Sequence, residues 1–154
     1  MTDADGRKKT FADILARLRA LEMPEEFDMI VAIANGGLLP AALLHERLGL
    51  EVNLLRINWR APDNTPRGPA PRLLREPGFA FAGKRLLLAD DRIKTGATIA
   101  FAKQTLAAAA LIRTFAINGA ADYALYDEDC FPMPWRLRRG PGDGFAEVQV
   151  ESPG

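Results

Sequence analysis

Leu86–Thr98, LLLADDRIKTGAT, decides how this chain folds. Four apolar residues, Leu86 to Ala89, have the length and bulk of a strand buried on both faces, as in a parallel sheet. Two acids, Asp90 and Asp91, follow as the strand's tip, and Thr95-Gly96-Ala97-Thr98 then turns the chain into a helix-forming run. That run begins with Ala97, Ile99, Phe101 and Ala102 and continues through Leu106 and Ala107–Ala110. A helix that starts here presents the free amides of Gly96, Ala97 and Thr98, where N–H groups and dipole attract a phosphate. Gly96 is expected to allow close backbone approach, and Thr95 and Thr98 add hydroxyl donors. The two acids repel a phosphate but suit the hydroxyls of a sugar attached to it, directly or through the water shell of Mg²⁺. Phosphate at one end and polyol at the other describe a cradle for ribose 5-phosphate.

The rest of the chain repeats the same architecture. Phe11, Ile14, Leu15, Leu18 and Leu21 recur at helical spacing, which predicts an amphipathic helix over Thr10–Met23 with Thr10 as its cap and Pro24 helping to end it. Met29–Ala34 reads as a buried strand, Asn35-Gly36-Gly37 as a tight turn, and Leu38–Leu48 as a second helix. Pro40 falls in that helix's first turn and Gly49 just past its end, positions that suit each. Val52–Ile57 and Arg113–Ile117 supply further strands, and a short strand is expected at Ala146–Val150. Repeated strand–helix–strand units imply an α/β fold with a mostly parallel sheet flanked by helices.

Asn58–Gly78 is the one long irregular stretch, holding five of the eleven prolines and Arg60, Arg67, Arg72 and Arg75 against Asp63 and Glu76. Such a segment is either a basic flap that closes over a polyanion or a mobile surface insertion. The 154 residues suit one domain: a core of about 10–119, a flexible loop at 58–78 and a small C-terminal hood at about 120–140.

Composition narrows the partners. Lys plus Arg equals Asp plus Glu at 20 each, so no global field gathers nucleic acid or an anionic membrane, and anion binding must be local. Cys130 is the single cysteine, which excludes an internal disulfide and a cysteine-cluster metal site. The polar start MTDADGRKKT and the lack of any run near the ~20 apolar residues of a membrane span make a cytoplasmic protein the expectation.

Leu86–Thr98 resembles the phosphoribosyl pyrophosphate signature of type I phosphoribosyltransferases, with the acidic pair and the TGxT turn in register. Ile30–Leu39, IVAIANGGLL, resembles that family's pyrophosphate loop, nearest to the SRGGLxP pattern of xanthine–guanine phosphoribosyltransferases. Ala34, Asn35, Gly36 and Gly37 take the loop positions and Pro40 also matches, while Asn35 stands where those enzymes carry arginine. Within Ala121–Leu137, Asp122-Tyr123 and Pro134-Trp135 look like the hood of the same branch.

The resemblance implies the type I phosphoribosyltransferase fold and transfer of ribose 5-phosphate to a nucleobase, purine-like in this branch, with release of pyrophosphate. Asp90, Asp91, Thr95, Gly96, Ala97 and Thr98 would then hold the ribose and its 5-phosphate, and Ala34–Gly37 the pyrophosphate. Mg²⁺ is the implied cofactor, met mostly indirectly by Asp90 and Asp91, and a homodimer or homotetramer the implied assembly. Trp135 or Tyr126 would stack on the base. Lys94 stands in the reaction centre with the two acids, where 6-oxopurine enzymes commonly place an aspartate; it offers a cation instead. Besides the enzyme, the residues admit two other readings. One is a regulatory protein of the same fold that binds phosphoribosyl pyrophosphate or a nucleotide without turnover; the other is an unrelated α/β protein that uses the turn for a different phosphate.

Overall fold

The computed structural model describes residues 8–58 and 70–137. Helix α1 (Phe11–Ala20) starts from a capping box: the Thr10 hydroxyl accepts from the Asp13 amide, and the Asp13 carboxylate accepts from the Thr10 amide. It stops three residues short of the predicted end, with Leu21 already extended ahead of Pro24. Arg47, from the next helix, donates to the carbonyls of Leu18 and Leu21 and so satisfies groups the helix end leaves open. Thr10→Ala is expected to cost about 1 kcal/mol, read as a lower urea midpoint with an unchanged slope.

Strand β1 (Met29–Ala34) leads into α2 (Leu38–Leu48), which has the predicted bounds and ends on Gly49 at φ 69°. Strand β2 (Val52–Asn58) follows. Among its described residues, the stretch read as irregular holds the two-residue strand β3 (Arg72–Leu73), antiparallel to β2. Residues 59–69, the rest of the expected flap, lie outside the described residues, as does the strand expected at Ala146–Val150.

Strand β4 (Arg85–Ile93) is longer than its apolar run. The acidic pair is therefore not a tip beyond the strand but part of it, with Asp90 opposite Ala116 and Arg92 opposite Asn118 on β5 (Leu111–Gly119). Pairing with β1 stops earlier, at Ala32–Ala89. Asp90 and Asp91 thus lie past the last pair that joins β4 to β1, on a strand still held by β5. Helix α3 (Ala97–Thr105) ends before the alanine run. Leu106–Ala110 turns instead, because the Gly83 amide donates to the Ala108 carbonyl and the Ala110 amide to the Lys84 carbonyl as the chain enters β5. High helix propensity in small residues yields to that closure.

The sheet order is β3-β2-β1-β4-β5-β6, with β6 at Tyr123–Tyr126 and every pair parallel except β2–β3. One face packs Ile14 and Leu18 of α1 and Ala41 and Leu44 of α2 against Ile30, Leu87, Phe115 and Ile117. The other packs Ile99, Ala102 and Leu106 against Val31, Leu55, Leu86 and Leu88. Strands buried on both faces read as continuous apolar runs, as these do. Chain order also fixes where a ligand fits. From β1 the chain crosses to β2 on one side, and from β4 it crosses to β5 on the other. The crevice beyond the carboxyl ends of β1 and β4 is the point where this order reverses, the position at which open α/β sheets bind ligands. Among the described residues no helix is long and apolar enough to cross a membrane.

Candidate active site

Both sequence motifs converge on that crevice. The loop after β1 folds so tightly against the acidic strand that a Cβ added at Gly36 would sit 2.8 Å from Asp91 Oδ1 and 3.1 Å from Asp90 Oδ1. One at Gly37 would lie 2.1 Å from the Ala89 carbonyl oxygen. The glycine pair is needed for close approach, not for unusual torsion, since Gly37 has φ −83°. The Ala34–Asn35 peptide is cis. Not all of the loop's amides face outward: Gly37 donates to the Ile33 carbonyl at 2.8 Å, and Leu38 to that of Asn35 at 3.1 Å. The exposed Asn35 and Gly36 keep amides that donate to no group among the described residues.

At Gly96, φ 79° puts the backbone in the left-handed region that glycine tolerates, and an added Cβ would meet no protein atom within 4 Å. The first bond of α3 runs from the Ala100 amide to the Gly96 carbonyl, which leaves the earlier amides outside the helix's own ladder. Thr95 Oγ1 accepts from the Ala97 amide at 3.3 Å, so the turn is already shaped around an oxygen.

The carboxylates are held by their own strand. Asp90 Oδ1 accepts from the Asp91 amide at 2.9 Å, and Asp91 Oδ1 from the Arg92 amide at 2.7 Å. Burial, reinforced by the negative charge of Asp91, pushes the Asp90 carboxyl well above the usual carboxylate range, while the Arg92 charge works against the rise. Two acids set side by side on a buried strand cost stability.

The candidate stacking residues separate. Tyr126 is buried, with the Arg17 guanidinium 4.4 Å and the Lys9 ammonium 4.8 Å from its ring centre and Phe131 packed edge-on at 5.3 Å. Its ring is taken up by protein, which overturns it as a base-stacking candidate. Trp135 is half-buried and meets Phe11 of α1 edge-on at 6.1 Å. Lys94 and Thr95 are exposed between the acidic pair and the helix. Sequence reasoning passed over Arg92. Its Nη2 donates to the Phe131 carbonyl at 2.8 Å, tying the acidic strand to the segment read as the hood. A charged residue two along the strand from Asp90 was the available signal, since alternate strand residues share a face.

A second polar cluster belongs to stability. Glu25 accepts from Arg113 Nε at 2.9 and 3.0 Å and from the Tyr123 hydroxyl at 2.6 Å, bonds that hold its carboxyl below the usual range. It lies near the starts of β5 and β6, away from the carboxyl ends where the crevice opens.

Comparison with known proteins agrees with this geometry. The family model described as the phosphoribosyl transferase domain matches residues 2–116. A xanthine-guanine phosphoribosyltransferase of Gluconobacter oxydans is 30% identical over 96 residues, covering 59% of this chain and 56% of the relative. The chain thus spans about half the length of the curated relatives it matches. Among solved structures, a purine phosphoribosyltransferase from Pyrococcus horikoshii superposes with TM-score 0.73 at 20% identity, covering 87% of this chain and 95% of that one. A Neisseria gonorrhoeae protein with bound ppGpp superposes with TM-score 0.67 at 18% identity, covering 84% and 88%. A sequence match over most of the chain, a shared fold, and both motifs meeting at the sheet's switch point place this chain in the phosphoribosyl transferase domain family.

Proposed function

We propose that this protein transfers ribose 5-phosphate from phosphoribosyl pyrophosphate to a purine-like nucleobase and releases pyrophosphate. One observation carries the reading: the Asn35–Gly37 loop packs directly on Asp90 and Asp91, and the Thr95–Thr98 turn follows on the same strand. A polyol site is thereby flanked by two anion sites, the pattern of a sugar with phosphates at two ends.

The roles follow from the donor inventory. Asp90 and Asp91 accept hydrogen bonds from the ribose hydroxyls, and the amides and hydroxyls of residues 95–98 take the 5-phosphate. These remote contacts orient the sugar and raise binding energy away from the reacting carbon. The Asn35 and Gly36 amides donate to the departing pyrophosphate, whose charge grows as the bond to ribose C1 breaks. Asn35 contributes no charge of its own there, so amides carry more of that task than an arginine would leave them. The base approaches C1 from the side covered by the hood, where Trp135 offers an aromatic face.

The donor set also suits Mg²⁺. Two carboxylates are hard oxygen ligands, yet no group of three metal-ligating side chains occurs among the described residues. That fits an ion bound through one or two carboxylates, waters and substrate phosphates. When bound, Mg²⁺ neutralises charge on the pyrophosphate oxygens.

The test is pyrophosphate release from phosphoribosyl pyrophosphate with Mg²⁺ across a panel of purines and pyrimidines, alongside thermal melts. Phosphoribosyl pyrophosphate at 100 times its dissociation constant is expected to stabilise the protein by about 2.7 kcal/mol. Release should require a base, purines being best. Stabilisation without release for any base would convert the protein into a sensor. No stabilisation at all would remove the sugar-phosphate site.

A further inference from the structure

Arg92 joins the strand of the acidic pair to the segment read as the hood. Its strand neighbour Asn118 fixes the hood segment above it: Asn118 Nδ2 donates to the Glu128 carbonyl at 3.1 Å, and Asn118 Oδ1 accepts from the Glu128 amide at 2.9 Å. Arg92 adds the bond from Nη2 to the Phe131 carbonyl. Two residues back on the same strand face is Asp90, the ribose ligand of the proposed reaction. The guanidinium therefore spans the gap between sugar site and hood.

Its hydrogen-bonding capacity is mostly unused. A guanidinium carries five N–H donors. Here Nη2 has one acceptor, Nη1 has none among the described residues, and Nε is buried with no partner. No carboxylate lies within ion-pair distance of it among the described residues. A half-buried cation with one carbonyl acceptor, a buried Nε without a partner and no carboxylate at ion-pair distance among the described residues is under-satisfied, and an anionic acceptor entering beside it relieves that. Lys94, exposed and likewise without an ion pair among the described residues, follows on the same stretch.

Resting on the transferase reading, we infer that Arg92 is a specificity-determining residue that favours nucleobases carrying a negative charge at neutral pH, through charge-assisted bonds from its free donors. A neutral base gains only ordinary hydrogen bonds from the same group. The pair of acids ahead of it repels an anion, so position matters: the base must meet the guanidinium, not the carboxylates.

Xanthine, which ionises near neutrality, and hypoxanthine, which stays neutral there, separate the two cases. Their affinities for the full chain in the presence of Mg²⁺ and pyrophosphate are measured by equilibrium dialysis at pH 6 and pH 8.5, with initial rates alongside. The unaltered protein should gain affinity for xanthine, but not for hypoxanthine, as pH rises. Arg92→Gln should lose at least tenfold for xanthine at pH 8.5, less than threefold for hypoxanthine, and the pH response with it. Arg92→Lys, which keeps the charge, should retain the preference for xanthine. Equal losses for both bases, or an unchanged xanthine response in Arg92→Gln, overturns the inference. Should Arg92→Gln melt early through loss of the Phe131 bond, Arg92→Lys and the pH response of the unaltered protein decide. Absence of turnover with every base would defeat the transferase reading alone, because the affinity ratio is measured without it.

Discussion

Gly37→Ala is expected to cost at least about 4 kcal/mol, enough to leave the chain largely insoluble or to lower its melting temperature by about 10 °C. The added methyl would stand 2.1 Å from the Ala89 carbonyl oxygen, 2.8 Å from that of Ile33 and 2.9 Å from the Ile33 nitrogen. All three are main-chain atoms of β1 and β4, in residues that are buried and hydrogen-bonded into the centre of the sheet. A side chain could swing aside; two central strands cannot part without giving up their ladder and the core on both faces. The cost approaches the whole stability of a domain of this size, about 5–15 kcal/mol. Two neighbours serve as controls. Gly36→Ala meets the ends of the Asp90 and Asp91 side chains, so the fold should survive while binding of phosphoribosyl pyrophosphate falls. Gly96→Ala meets nothing but has φ 79°, and should cost about 1–2 kcal/mol. Urea melts of the three variants check the order. A native-like melt for Gly37→Ala would mean that β1 and β4 can spread.

The same contrast explains what could be read from the sequence. Leu86–Ala89 and Met29–Ala34 announce buried parallel strands because burial on both faces removes alternation, and Pro40 and Gly49 punctuate α2 at its first turn and its end. Local chemistry decides these features, so local residues reveal them. The acidic pair's place inside β4 depends on β5 running two residues further than its apolar stretch, a fact of pairing that neither strand states alone. The alanine run after α3 favours a helix by propensity and is overruled by bonds to residues 83 and 84, more than twenty positions earlier. Site residues divide in the same way. Gly36 and Gly37 are legible as a turn, but that they are needed for contact with Asp91 and Ala89 is a property of β1 lying beside β4. Tyr126 and Trp135 are alike on paper. Only the packing of Lys9, Arg17 and Phe131 around the first assigns it to the core. Arg92 stayed hidden because its partner is a main-chain carbonyl 39 residues away, which leaves no trace in side-chain pattern.

Asp90→Asn is expected to strengthen the fold and weaken the function. Burial and the adjacent Asp91 hold the Asp90 carboxyl well above its ordinary 3.8, so the folded protein keeps a proton that the unfolded chain releases. Between those two values the folded state binds more protons, and stability therefore falls as pH rises through the window. Above it the penalty is present in full. Asparagine has no charge to desolvate or to set against Asp91, and its carbonyl oxygen can still accept the Asp91 amide that now bonds to Asp90 Oδ1. The variant should be more stable than the parent at neutral pH, and the gain should vanish well below pH 3.8, where the parent carboxyl is neutral in both states. Binding should move the other way. A carboxylate accepts a ribose hydroxyl through a charge-assisted bond and an amide oxygen through a weaker one, a difference of about 1–2 kcal/mol, or roughly tenfold in affinity for phosphoribosyl pyrophosphate. Thermal melts across pH with and without that ligand measure both quantities in one series. A variant that gains no stability at pH 7 would show that the carboxyl is not penalised where it stands. One that gains stability yet binds phosphoribosyl pyrophosphate as tightly as before would mean that Asp90 holds no part of the sugar. Opposite signs in the two readouts are what a charge kept for a ligand, at the expense of the fold, must give.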